Sequence, residues 1–431
     1  MGMQIVSRLR QNQFLRHNAI FFVGSLAVGA LNYLYYPVLG RLLQPTAFGE
    51  VQTLVSLFLQ LNIFLTVFGL VTANIAANYN DAVRRNYIIF ELERIALGIS
   101  AVLLLVSLVF GTQLQGFFRF DSSWPFVVLV LAVVINVPAT LRTSFVCGQH
   151  GFGIASVSNL LVALAKIIFS AGLAAIGLST LGAIWGVAAA QFLALCYIAY
   201  WAHRLGLERP AGASLLAKPD FGLIGPELKY AGFVLVGSLI ITLQFSIDIL
   251  VVKHYFDAYT AGLYAAIATV ARIIFFVTGS LAQVLMPSVK LQQAAARNRQ
   301  LLFMSFGLLA ATSLPLVLIF AFFPGTIVSV LMGGKYATFA GLLPWLSLAI
   351  FMIAAVNLLI SYHMALRHYR SVLIVGVGAV LTYGLMLVNH ANLSSVIGNV
   401  VYGSLSMLVL IACVTAWPGL IKKKAAGVVQ S

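Results

Sequence analysis

The 431-residue chain is 61% apolar and only 8% charged, which leaves too little polar surface to face water and excludes an ordinary soluble globule. The net charge of +15 is no nucleic-acid footprint, because Lys and Arg fall in the gaps between apolar runs and not along one folded face. Cys147, Cys196 and Cys413 are odd in number, far apart and each in or beside an apolar run, which argues against a disulfide framework or a metal cluster.

Arg8, Arg10 and Arg16 precede a first apolar run from Ala19 to Gly40. A signal peptide opens the same way, but this run reaches the roughly 20 residues that cross about 30 Å of hydrocarbon. It therefore reads as an uncleaved first helix. Spans are predicted at about 18–40, 51–77, 95–113, 125–147, 154–178 and 181–202, then at 229–253, 262–288, 300–323, 341–366, 371–389 and 396–417. Alanine, glycine and serine recur within them, as suits helices that pack closely in lipid. The expected fold class is all-α, a polytopic membrane protein of about twelve transmembrane helices.

Positive loops stay in the cytoplasm. With the N-terminus inside, the inner connections collect nineteen of the 25 Lys and Arg residues, from Arg8 through Arg84, Arg142, Arg204, Lys290 and Arg367 to Lys424. The outer ones hold Arg41, Arg119, Lys253 and Lys335. This asymmetry would collapse if one middle span were miscounted, so both termini are expected in the cytoplasm. The longest connection, rich in Pro and Gly, divides the chain into a bundle at 1–205, a cytoplasmic linker at 206–228 and a second bundle at 229–431.

Shifting the second half back by 213 residues lays Val236-Gly237-Ser238-Leu239 on Val23-Gly24-Ser25-Leu26, Val251 on Val38, Gly262 on Gly49 and Val284 on Val71. Six spans per half is an even number, so the two repeats share one orientation and are related by an axis along the membrane normal. Two parallel six-helix bundles of this kind enclose a central cavity, the geometry of a transporter.

Charges inside spans are costly and mark protein interiors or wet cavities. Lys166 lies midway along its span and Arg272 lies ten residues into its own, so neither reaches a headgroup easily. Both are candidates to line the cavity, with a structural ion pair between helices as the alternative. Asp248 sits about one helical turn from Arg272 across antiparallel spans, and reads equally as a structural pair or an ion-coupling group. Arg142 and Arg41 are further substrate-binding candidates, although Arg142 can snorkel and Arg41, like Lys253, ends a span where interfacial anchoring is the default. Asn74, Asn136, Gln191, Gln244 and Asn357 can bond a sugar or simply join packed helices. Tyr33, Tyr35 and Tyr36 cluster as interfacial aromatics do. His363 and His368 lack partners at metal-ligand spacing. No catalytic residue, metal or cofactor is expected.

The segment Arg41-Leu42-Leu43-Gln44-Pro45-Thr46-Ala47-Phe48-Gly49 resembles the first loop of polysaccharide flippases in the multidrug, oligosaccharidyl-lipid and polysaccharide exporter superfamily. Ser246-Ile247-Asp248-Ile249-Leu250-Val251-Val252-Lys253, Ala261-Gly262-Leu263-Tyr264-Ala265-Ala266, Arg272 and Met286-Pro287 resemble that family's second half. The resemblance implies a V-shaped pair of bundles whose basic cavity carries a lipid-diphosphate sugar from the cytoplasmic to the outer leaflet, with its lipid tail in the bilayer. It also implies a bacterial inner-membrane location, a lipid-linked oligosaccharide and membrane lipid as partners, with a coupling ion (sodium or proton) and a polysaccharide polymerase as candidate others. Lipid II flippases of the superfamily carry two further helices after the twelfth; this chain ends at Ser431 without them, which turns the expectation toward O-antigen, capsule or exopolysaccharide units.

Two rival readings remain. A cation-coupled multidrug exporter would keep acidic residues in its bundles, where only Asp248 is placed. A membrane glycosyltransferase or polymerase would need catalytic carboxylates on a large outer loop, and the predicted outer connections are short, with only Glu50, Asp121 and Asp257 as acids.

Overall fold

The structure is a computed structural model that describes residues 27–210, 221–289, 294–366 and 368–416. Arg8, Arg10, Arg16, the Val23 to Leu26 repeat segment, Lys218, Lys290, Arg367 and Lys422 to Lys424 lie outside the described residues. The described residues are helical without a strand. They form α1 (27–42), α2 (Pro45–Leu61), α3 (Ile63–Asn78), α4 (Ala82–Val109), α5 (Gly111–Phe118), α6 (Trp124–Gly148), α7 (Phe152–Leu173) and α8 (Ser179–Arg204). After these come α9 (Phe221–Tyr255), α10 (Ala258–Ala271), α11 (Ile273–Ser288), α12 (Ala295–Phe322), α13 (Pro324–Met332), α14 (Leu343–Ala365), α15 (Tyr369–Val388) and α16 (Leu393–Ala416).

Nine helical runs among the described residues are long and apolar enough to cross a membrane, and Leu373–Val388 is a shorter apolar helix. The chain is a multi-pass membrane protein. One of the nine runs, Phe152–Arg204, has 53 residues, about 80 Å of helix at 1.5 Å per residue and far more than one crossing. It folds back at Ala174–Leu178, where Gly177 takes φ +97° and Ser179 takes φ +46°. The hairpin closes tightly because its contact residues are small: a Cβ on Gly182 would stand 2.8 Å from the Leu173 backbone, and one on Gly186 would stand 2.3 Å from Ser170 N. Ser170 Oγ donates across the same seam to Ala183 O at 2.7 Å.

Two compact units divide the chain, Met1–Leu235 and Val236–Ser431, parted inside α9. In the first, α6 packs on α3, α4 and α8, and α8 packs on α7. Leu65, Ile88, Leu92, Leu141, Phe145 and Ile198 fill that core. In the second, α14 packs on α11, α12 and α16, and α16 packs on α15. Counted by predicted span, the fourth helix of each unit is the hub, resting on the second, third and sixth, while the fifth rests on the sixth. The packing scheme thus recurs although few residues do.

Helix boundaries depart from expectation where polar residues extend the helices beyond the apolar runs. The second span is predicted at 51–77, but α2 starts at Pro45, whose fixed φ and missing N–H suit a first helical position. The third starts at Ala82, capped by Asp81 Oδ1, which accepts from Val83 N and Arg84 N at 2.9 and 3.3 Å. The predicted linker is shortened by α9, which begins at Phe221. Two predicted spans are also interrupted for one residue each, at Asn62 (φ −85°, ψ −3°) and Arg272 (φ −67°, ψ −8°). At Asn62 the side-chain amide takes Phe58 O, four residues back, at 2.6 Å, and such local competition with the backbone distorts a helix.

Candidate functional site

In the first unit Lys166, partly buried on α7, donates from Nζ to Asn32 Oδ1 at 2.7 Å and stands 4.6 Å from the centre of the Tyr35 ring. Asn32 and Tyr35 are three apart on α1 and so share one face. Among the described residues no carboxylate pairs with Lys166. Tyr35 is 1% exposed, which corrects its reading as an interfacial aromatic: its ring is a buried platform beneath Lys166 Nζ. Asn32 was missed from the sequence, where its only signal is sharing a helix face with Tyr35.

The second unit holds Arg272 in a different manner. Its Nη2 donates to Asp248 Oδ1 at 2.6 Å, its Nε donates to Phe245 O at 2.8 Å, and the guanidinium lies 5.2 Å from the Phe245 ring centre. Tyr264 Oη donates to Asp248 Oδ2 at 2.8 Å. Asp248 and Arg272 are 3% and 5% exposed, so the pair is enclosed, with Arg272 Nη1 buried and without a hydrogen-bond partner among the described residues. The helix interruption places Arg272 opposite Phe245 and Asp248, three apart on α9, while Tyr264 comes from α10, buried continuously from Ala261 to Ala271. Removing one partner of such a pair costs about 3 to 5 kcal/mol, since a bare charge remains inside.

Arg142 does not stand alone. Its Nη1 donates to Glu93 Oε1 at 2.8 Å and to Pro138 O at 3.1 Å. Arg41 is exposed at the end of α1. Lys253, expected as an interfacial anchor, is 1% exposed; the final turn of α9 is packed inside its unit. Asp248 is not the only acid on a helix inside the molecule. Because α2 begins earlier than predicted, Glu50 lies within it, 8% exposed, accepting from Thr180 Oγ1 at 2.6 Å and from Asp121 N at 3.3 Å. Glu91 is 1% exposed and bridged to Arg94.

Of the amides singled out, Asn136 Nδ2 donates to Asn62 Oδ1 at 2.7 Å, tying α6 to the interruption of the second span. Asn74 bonds Asn78, and Gln244 and Asn357 line a cavity of about 10 Å³ with Ile240, Ile353 and Met407, room for about one water. His363 meets Thr415 Oγ1 through Nε2 at 2.8 Å, with the His368 ring 5.7 Å away. Burial holds His368 below the usual imidazole range. No cluster of three or more His, Cys, Asp or Glu that could hold a metal occurs among the described residues. At Asp257, the N-cap of α10, burial acts to raise the carboxyl, but hydrogen bonds from Thr260 and Tyr259 outweigh it and hold the group below its ordinary value.

What this geometry can do is hold an anion at Lys166 and hold helices together at Arg272. Residues 38–341, more than half of the chain, match a family described as polysaccharide biosynthesis protein. The chain belongs to that family. Among curated proteins no sequence matches the chain. Its fold is that of the superfamily to which its sequence bears a resemblance. A multidrug resistance MATE family transporter of the MOP superfamily in an inward-facing conformation aligns with TM-score 0.70 and 14% identity, covering 92% of this chain and 96% of that one. The lipid II flippase MurJ, in an inward closed conformation, aligns with TM-score 0.72 and 10% identity over 92% of this chain and 87% of its own. A MOP superfamily transporter from Pyrococcus furiosus, whose binding pocket has reversed polarity suggesting a different function, aligns with TM-score 0.55 and 11% identity over 95% and 96%. At such identities the likeness establishes the fold alone.

Proposed function

We propose that this chain is a flippase, which carries a polyprenyl-diphosphate-linked oligosaccharide from the cytoplasmic to the outer leaflet of a bacterial inner membrane by alternating access. Its twelve predicted spans form six-helix halves at 1–205 and 229–431, with the cytoplasmic linker expected at 206–228 running into α9 at Phe221 and both termini inside. The observation that carries the reading is Lys166, a basic side chain within a membrane helix whose recorded partners are an amide and an aromatic ring. A basic group left without a carboxylate suits an anionic cargo, because the cargo then supplies the missing counter-charge. Family membership supports the sugar part of the reading.

Lys166 is the first contact for the diphosphate. Arg272, the second candidate, has Asp248 against its Nη2 and Nη1 without a hydrogen-bond partner among the described residues. Arg142 and Arg41 act as secondary contacts during entry and exit. Cation-coupled multidrug export is the second reading, favoured by the buried carboxylates of Asp248 and Glu50; the MATE relative is named for multidrug resistance. The two readings separate in proteoliposomes given a fluorescent polyprenyl diphosphate sugar on one side. Flippase activity exposes the sugar to an added impermeant glycosidase, and Lys166→Gln slows that exposure at least tenfold. Equal exposure with and without the protein, alongside gradient-driven efflux of organic cations, would decide for the exporter.

A further inference from the structure

We propose that Lys166 is a neutral amine in the empty protein and takes up a proton when the anionic cargo docks, so that cargo and proton bind as a linked pair. This rests on the flippase reading, and gives Lys166 a role that a fixed positive charge cannot fill.

An ammonium offers three N–H donors. Around Lys166 they meet one recorded acceptor, Asn32 Oδ1 at 2.7 Å, and the face of the Tyr35 ring. Both partners come from α1, whose other nearby ionisable groups are the phenols of Tyr33 and Tyr36 beside Tyr35. The neighbour packed most closely on α7 is α8. Its contacts of Gly182 with Leu173 and Gly186 with Ser170 set an antiparallel register, which brings Ala190 to the level of Lys166. The ionisable residues of α8, which are Cys196, Tyr197, Tyr200, His203 and Arg204, all lie beyond that level toward its C-terminal end, and Arg204 rests on Tyr200. On α6, which also packs on α7, Arg142 is paired with Glu93, and Cys147 is at the far end. On α2, Glu50 accepts from Thr180 and the Asp121 amide. Every contact recorded for Lys166 is therefore with an uncharged group.

An amide is the partner that suits both protonation states. Its Oδ1 accepts from an ammonium, and after a flip about its side-chain bond its Nδ2 donates to the lone pair of a neutral amine. An Asp at the same place would lock the charge in. Arg272 marks the contrast, since a guanidinium keeps its proton throughout and has Asp248 against it. An ammonium with dipoles alone for company in a membrane interior is strongly disfavoured. Arrival of a diphosphate oxygen reverses that, and by linkage the proton strengthens anion binding by the same factor that the anion strengthens proton binding.

The balance is simple. One N–H bond forms with a proton from water on the loading side, and it breaks to water on the far side as the cargo leaves. A cargo of about two negative charges then crosses as a net charge near one, and the empty protein returns without a bare cation.

The test uses the full chain in nanodiscs and a short-chain polyprenyl diphosphate sugar, both of whose phosphates are diesters that do not titrate near neutrality. Proton uptake on binding is read in weak buffer with a pH indicator, and affinity is followed across the alkaline range. The wild type should take up about one proton per ligand, and its affinity should fall about tenfold per pH unit above the point where the empty site loses its proton. Lys166→Arg should still bind but take up no proton and lose the pH dependence, and Lys166→Gln should bind at least tenfold more weakly. NMR of isotopically methylated lysines in the empty protein supplies a ligand-free readout, in which the signal missing from Lys166→Arg should show the neutral amine at pH 8. A charged amine there, or equal uptake in Lys166→Arg, overturns the proposal. Binding without uptake overturns the linkage and leaves the flippase reading standing; no binding of the diphosphate sugar at any pH overturns both.

Discussion

Two basic residues that look alike in the sequence are treated in opposite ways by the fold. Lys166 in the first unit has an amide and a ring for neighbours, whereas Arg272 in the second is closed against Asp248, with Tyr264 on the other carboxylate oxygen. Residue chemistry matches the arrangement: the group that can lose a proton has uncharged partners, and the group that cannot has a carboxylate. An intramembrane charge therefore points to function through its partners more than through its depth. Arg272 joins α9 to an interrupted helix, and Lys166 is left without a carboxylate partner among the described residues.

The contrast predicts unequal costs of substitution. Asp248→Asn should be the most damaging, because it strands the Arg272 guanidinium, and a loss of about 3 to 5 kcal/mol is expected. Thermal unfolding in detergent would show this as a large fall in Tm, while the double variant Asp248→Asn, Arg272→Gln should recover much of it. If the single variant melts like the wild type, the pair is not structural and ion coupling through Asp248 becomes the better reading. Lys166→Gln should fold and insert normally, since no charged partner is stranded by its loss.

A smaller effect should be set by voltage. Each charge gains about 2.3 kcal/mol per 100 mV, so a net charge near one gives a bias of about 2 kcal/mol and an unprotonated diphosphate roughly twice that. Flipping in vesicles under imposed potassium diffusion potentials, with sodium and proton gradients clamped, should follow the sign of the potential. Its slope should steepen toward two charges in Lys166→Arg, whose proton stays with the protein. Rates indifferent to the sign would end any electrophoretic account.

The weakest expected effect is at the neutral counterpart of Arg272. Asn62 interrupts the second span as Arg272 interrupts the eighth, and its partner is Asn136. Interhelical side-chain bonds of this kind average about 0.6 kcal/mol. Asn136→Leu should therefore move stability by less than about 1 kcal/mol, and a loss as large as that of Asp248→Asn would show that charge is not what separates the two interruptions.

The sequence by itself determined where the helices are and that they lie in a membrane. Every predicted span coincides with helix among the described residues, because an apolar run long enough to cross lipid is a local property with one backbone solution. The departures lie mainly at polar helix ends: hydropathy places Glu50 in a loop although Pro45 marks a helix start, and the charged first turns of α4 read as connection; the short helix α13 also falls between two predicted spans. Only the tertiary structure decided which charges meet. Asp248 and Arg272 were within reach of sequence reasoning, since they lie on consecutive spans and a turn's offset could be counted. Lys166 with Asn32 and Tyr35, Arg142 with Glu93, Asn136 with Asn62, and Glu50 with Thr180 could not be counted in the same way. Hydropathy constrains how deep each residue sits but leaves its helix free to turn about its own axis, and that angle, which settles whether a lysine faces an aspartate or an asparagine, is set by the packing of helices distant in the chain.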